Sequence, residues 1–113
     1  MTKIYHNPRC TKSRQALALL EEKNENTEII EYLKDAPTKA EIKEIVKMLG
    51  IPPLSLIRKG EKTFKEEYKD KEMSDEAWID AMVAHPILIE RPIVIKNGKA
   101  AIGRPIENVI EIL

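Results

Sequence analysis

The first 33 residues constrain the fold more than any other part of the chain. "TKIYH", residues 2–6, has the short apolar character of a strand, and Asn7-Pro8 breaks it because a residue before proline avoids the helical region. A helix is predicted from about Thr11, with Ala16, Leu17 and Leu20 on one face, and "TEIIEYL", residues 27–33, is rich in strand formers. Strand, helix, strand in that order implies a crossover, and a crossover implies a parallel pair.

The middle of the chain is predicted to be helical. Thr38 and Glu41 have the spacing of a capping box; Ile42, Ile45, Val46 and Leu49 follow at helical intervals, and Gly50 is a natural stop. Pro52-Pro53 opens a short helix through Leu54, Leu56 and Ile57 to Arg58. Residues 59–73 are highly charged and read as exposed helix and loop. Ser74 caps a further helix whose apolar side is Trp78, Ile79, Met82 and Val83, with Pro86 just past its end. Two apolar runs then flank Asn97-Gly98, the pair that suits a two-residue type I′ turn, so residues 93–102 are a hairpin. Pro105 is placed at the first turn of a last helix carrying Ile106, Val109, Ile110 and Leu113. The order β-α-β, helices, β-hairpin, α is that of an α/β thioredoxin-like fold: a mixed four-stranded sheet with a helical insertion. A chain of 113 residues is expected to make it as a single domain, 1–113.

Composition excludes several function classes. Lys plus Arg and Asp plus Glu both number 19, so nothing in the charge balance favours nucleic acid or an anionic membrane surface. There is no apolar run of spanning length and no signal-peptide pattern at the N-terminus. One cysteine cannot form an internal disulfide, and no His/Cys cluster suggests a metal site. The expectation is a soluble cytoplasmic protein, monomeric by default, with no bound cofactor, no metal, no nucleic acid and no membrane partner.

The single cysteine lies in "YHNPRCTKSR". Cys10 falls at the start of the first predicted helix, where unpaired amides and the positive end of the helix dipole favour a thiolate. Arg9, Lys12 and Arg14 add to this if their side chains turn inward. The other reading is a buried structural cysteine, a common role for the free residue; its polar, cationic loop argues for the reactive one. His6, if protonated and facing the sulfur, would stabilise the thiolate further, whereas a strand-end histidine can equally be a hydrogen-bonded structural residue. His85 has no catalytic role in this reading. The cations are 14 lysines and 5 arginines; Arg9 and Arg14 flank the cysteine, and Arg91 and Arg104 each precede a proline. Arginine grips an oxyanion through two hydrogen bonds, which suggests anion recognition. Position 13 is serine, so the C-x-x-C of a dithiol centre is absent and a second thiol must come from another molecule.

"YHNPRCTKSR", "LIRKGE" at 56–61, "HPILIERPIVI" at 85–95 and "GRP" at 103–105 occur in that order. Together they resemble the arsenate reductase family of the glutaredoxin-coupled type over essentially the whole chain. The resemblance implies that Cys10 is the nucleophile, that Arg58, Arg91 and Arg104 surround the arsenate oxyanion, and that His6 favours the thiolate. Arg14 joins His6 as a thiolate-stabilising candidate. Pro92 corresponds to the cis-proline of thioredoxin-like folds. Glutathione would be the thiol co-substrate and glutaredoxin the protein partner. Arg9 stands where better-known members carry a small residue; it adds charge to the site or tunes which oxyanion fits. The sequence stops at Leu113, without the C-terminal extension of longer members. Two other readings stay open: a redox-sensing transcription regulator that binds RNA polymerase, which typically uses the C-x-x-C that Ser13 removes, and a glutathione-dependent thiol oxidoreductase with another substrate.

Overall fold

In the computed structural model, which describes residues 1–113, the strands are β1 (Thr2–Tyr5), β2 (Thr27–Ile30), β3 (Ile93–Lys96) and β4 (Lys99–Ile102). The helices are α1 (Thr11–Glu22), α2 (Lys39–Leu49), α3 (Lys62–Glu67), α4 (Asp75–Ala84) and α5 (Glu107–Ile112), with short 3₁₀ turns at Pro53–Leu56 and Pro86–Leu88. These elements form two compact units, one of residues 1–35 and 91–113, the other of residues 36–90.

The first unit is the sheet. Its strand order is β2-β1-β3-β4, with β1 parallel to β2 and the other neighbours antiparallel. The crossover through α1 makes the parallel pair, as the opening of the sequence requires. Ile4, Val94 and Ala101 are in register across β1, β3 and β4 and so point to one face. They pack with Ala16 and Leu20 of α1 and Val109 of α5, each at most 6% exposed, and Leu17, Leu19, Ile112 and Leu113 close the edges. Asn97 and Gly98 have φ of 52° and 76°, the left-handed pair that a type I′ turn demands.

In the second unit the Thr38 hydroxyl accepts the Glu41 N–H while the Glu41 carboxylate accepts the Thr38 N–H, and Gly50 ends α2 with φ of 66°. Ser74 caps α4 by accepting the Ala77 N–H. Phe64, Tyr68 and Trp78 stack beside one another, with ring centroids 6.0 to 6.4 Å apart. The segment around Arg58 is tied to the segment around Ile89 by Arg58 N–H to Leu88 O and Glu90 N–H to Leu56 O, both 2.8 Å.

Three sequence expectations change. β2 ends at Ile30 and not at residue 33, because the Glu31 carbonyl accepts the N–H groups of Lys34 and Asp35 in a turn that buries Tyr32. The last helix starts at Glu107, so Pro105 precedes it and does not occupy its first turn. Val83 and Ile110, counted among apolar helix faces, are 38% and 46% exposed; in helices this short, Ala81 and Val109 fill the inward positions instead. Pro86 lies just past the end of α4, as expected, and opens a short 3₁₀ turn.

Gly103 is the tightest point of the sheet unit. Its N–H donates to Pro92 O at 2.8 Å, and a Cβ there would come within 2.6 Å of Pro92 Cγ, with Val109 Cγ2 at 3.4 Å on the other side. A proline ring held in the core cannot swing away. Gly103→Ala is expected to destabilise the protein by about 1–3 kcal/mol, read as a lower urea midpoint. Gly60→Ala, where no atom lies within 4 Å, serves as the control and is expected to leave the midpoint within experimental error.

Candidate active site

Strand register brings the site together. β1 pairs Tyr5 with Ile93, so the chain leaving β1 toward Cys10 runs beside the residues that lead into β3. β3 pairs Ile93 with Ile102, so the next pair outward is Pro92 with Gly103 and the one after that Arg91 with Arg104. Three segments far apart in sequence therefore converge at one end of the sheet. The Arg91–Pro92 and Arg104–Pro105 peptide bonds are both cis.

Cys10 is the N-cap residue of α1, with extended φ and ψ of −92° and 122°, and is 9% exposed. Its N–H donates to Asn7 O at 3.0 Å, which closes the loop after Pro8. Arg104 Nη2 donates to Cys10 Sγ at 3.2 Å, and its Nε donates to Arg91 O at 2.8 Å. One guanidinium thus spans the sulfur and the backbone of the other arginine. Nε and Nη1 of Arg91 are buried, and the Arg91 side chain also donates to the sulfur. Burial alone would push the thiol up. The Ser13 N–H, the Arg91 side chain, the Lys12 N–H and the Arg104 charge outweigh it and hold Cys10 below its ordinary value. Two of these four are amides of the first turn of α1, the donors that a helix start leaves unpaired.

His6 is 5% exposed and reaches the site indirectly. Its Nδ1 is 2.6 Å from Ser13 Oγ, which also accepts the Asn7 N–H at 3.0 Å. The Ser13 hydroxyl thus bonds both the histidine ring and the backbone of the cysteine loop. Burial pushes His6 below its ordinary 6.5, Glu31 pulls it up and Arg14 pushes it further down. Burial thus favours the neutral ring, which is hydrogen-bonded to Ser13, and Ser13 in turn presents its N–H to the sulfur. Ser13, fully buried, is the functional residue that sequence reasoning missed. It was visible only as the absence of a second cysteine. A serine at the third position after a helix N-cap, seven residues from a strand-end histidine, was the available signal.

Arg14 does not turn toward the sulfur. Its Nη1 donates to Pro8 O at 2.9 Å and its Nη2 to Thr11 Oγ1 at 3.2 Å, so it braces the outside of the cysteine loop. Arg9 is exposed, with its N–H on Asn7 Oδ1 at 3.0 Å. Arg58 belongs to the second unit, where its Nε pairs with Glu90 at 3.1 Å and its Nη1 with Glu61 at 3.2 Å. No group of three or more His, Cys, Asp or Glu side chains is arranged to hold a metal ion, and no helix is long and apolar enough to cross a membrane.

A mixed four-stranded sheet carrying one cysteine at a helix start, beside a cis-proline and two arginines, defines a thioredoxin-like protein with a single thiol flanked by guanidinium groups. A family model described as the ArsC family matches residues 5–112. The arsenate reductase of Neisseria meningitidis is 44% identical over 98% of this chain and 97% of its own. The "Uncharacterized protein YfgD" of Escherichia coli is 48% identical over 98% of this chain and 95% of its own. A solved structure, the arsenate reductase from Vibrio cholerae, superposes with a TM-score of 0.93 at 46% identity, covering 99% of this chain and 97% of that one. The chain belongs to the ArsC family.

The rate of iodoacetamide alkylation of Cys10 against pH is expected to show a midpoint below the free-thiol value of about 8.5. Arg104→Ala removes one donor and one charge from the sulfur and is expected to move that midpoint upward. A second pH effect belongs to His6. Its folded-state pKa lies below its unfolded one, so between the two the unfolded chain binds the extra proton and stability rises with pH. Unfolding free energy is therefore expected to fall as pH drops below about 6.5, and this acid-side slope is expected to flatten in His6→Gln.

Proposed function

We propose that the protein reduces arsenate to arsenite with Cys10 as the nucleophile, Arg91 and Arg104 as the oxyanion-binding residues and glutathione as the second thiol. The observation that carries this reading is the sulfur of Cys10 held between two guanidinium groups and two helix-start amides. Such a set of donors stabilises a thiolate and equally receives an incoming oxyanion. It answers the main obstacle of the chemistry, which is that an anionic nucleophile and an anionic substrate repel each other.

In the proposed sequence the thiolate attacks arsenic, an As–S bond forms, and one oxygen leaves as water after taking up protons. Glutathione thiolate then attacks the Cys10 sulfur. An S–S bond forms, the As–S bond breaks, and its electron pair stays on arsenic, which leaves as arsenite. Arsenate, the enzyme thiol and glutathione thereby become arsenite, water and an enzyme–glutathione disulfide, and glutaredoxin with further glutathione restores Cys10. Arg58 enters as a third oxyanion ligand on the strength of the sequence resemblance alone; its guanidinium is paired with Glu61 and Glu90. Ser13 supports the monothiol route, since a hydroxyl at that position cannot resolve an oxidised Cys10.

The test is arsenate-dependent NADPH oxidation coupled through glutathione, glutaredoxin and glutathione reductase. Wild type is expected to turn over and Cys10→Ser to be inactive. Arg91→Ala is expected to lose about 10²–10³ in kcat/KM, the usual cost of removing one preorganised donor. Absence of wild-type turnover would overturn the reading in favour of another thiol-dependent substrate.

A further inference from the structure

Beside the cysteine loop is a cleft of about 400 Å³, and neither the sulfur nor the two site arginines line it. Its wall includes His6, Asn7, Arg9, Glu31, Leu33 and Lys34. A cavity of this size lies in the range that receives small organic ligands, about 300–1,000 Å³. It opens past the carboxyl ends of the parallel pair, where β1 gives way to His6 and β2 to Glu31, and His6 N–H still bonds to Ile30 O across the gap at 2.8 Å. That end of a parallel pair is where α/β sheets place ligands.

We infer that this cleft is the binding subsite for the incoming peptide thiol, a molecule with two carboxylates, one ammonium and a short aliphatic chain. The inference rests on the glutathione-dependent reading above. Three observations support it. The cleft bears two cations, Arg9 and Lys34, and one anion, Glu31, a set complementary to two carboxylates and one ammonium. The Lys34 ammonium is 83% exposed and 3.7 Å from Glu31, so it can turn to a ligand at little cost. Leu33, a large apolar residue left 44% exposed, offers a surface to the methylene groups of a γ-glutamyl chain.

The cleft is also joined to the nucleophile. Asn7 lines it, and the Asn7 carbonyl accepts the Cys10 N–H at 3.0 Å. Asn7 Oδ1 accepts the Arg9 N–H, so one residue sets both the cleft wall and the cysteine backbone. Asn7, Pro8 and Arg9 of the cleft wall immediately precede Cys10, so a tripeptide held there lies against the cysteine loop. Arg9 thereby acquires a task separate from the oxyanion: it meets the thiol donor on the far side of the cysteine loop.

The experiment titrates the full-length ¹⁵N-labelled protein with S-methylglutathione, which has the charges of the tripeptide but no thiol to react. Saturable amide shifts are expected at Asn7, Arg9, Leu33 and Lys34. The double variant Arg9→Glu/Lys34→Glu is expected to weaken binding about tenfold or more, and to raise the KM for glutathione by a similar factor with the KM for arsenate unchanged. Lys99→Glu, at the exposed first residue of β4, is the charge control and is expected to change neither. Shifts that are absent or lie elsewhere, or an unchanged KM for glutathione in the double variant, would overturn the subsite even if arsenate is turned over. Binding at the named residues without arsenate turnover would leave the subsite standing and remove the reductase reading.

Discussion

The two-residue turn at Asn97–Gly98 fixes the pairing of β3 with β4, and through that pairing the relation between two arginines 13 residues apart. Each arginine lies in an irregular segment next to a proline, and the ladder is carried on to them by Gly103 N–H on Pro92 O and by Arg104 Nε on Arg91 O. A turn one residue longer would shift the register and send every side chain of β4 to the opposite face. The cluster of arginines around Cys10 is in this sense an extension of a hydrogen-bond ladder. Tyr5 on Ile93 adds the third segment and with it the cysteine loop.

Placing a cysteine in this frame sets two effects against each other. Removing the sulfur from water disfavours its charge; donors aimed at it favour the charge. At Cys10 the donors win because several act on one atom and because they are backbone amides and guanidinium groups that keep their orientation. The same contest runs the other way at His6, only a few residues earlier. There burial prevails, the neutral ring is favoured, and its Nδ1 shares a hydrogen bond with Ser13 Oγ. Of two titratable groups on one loop, one is thus driven toward its charged form and the other toward its neutral form.

Much of the sheet unit could be read from the chain because its signals are local. Asn7-Pro8, the apolar spacing in α1 and the Asn97–Gly98 turn each act over a few residues. The capping box at Thr38 and Glu41 is local in the same way. What could not be read depends on contacts across the fold. The early end of β2 follows from a turn that buries Tyr32, and the outward positions of Val83 and Ile110 follow from which face finds a partner. The same holds at the site. Cys10 and the arginines before prolines stood out by residue type and context. The direction of Arg14 toward Pro8 O, and the bond from Ser13 to His6, depend on rotamers and loop shape that no spacing rule encodes.

Gly103 has one more consequence. Its backbone lies against the Pro92 ring, its N–H is bonded to Pro92 O, and Val109 presses from the side of α5. These contacts tie the segment before β3 to the segment after β4, and the Arg104 Nε bond to Arg91 O ties them a second time. The Gly103 amide carries no chemistry of its own, so its exchange with solvent is a gauge of how firmly that joint is closed.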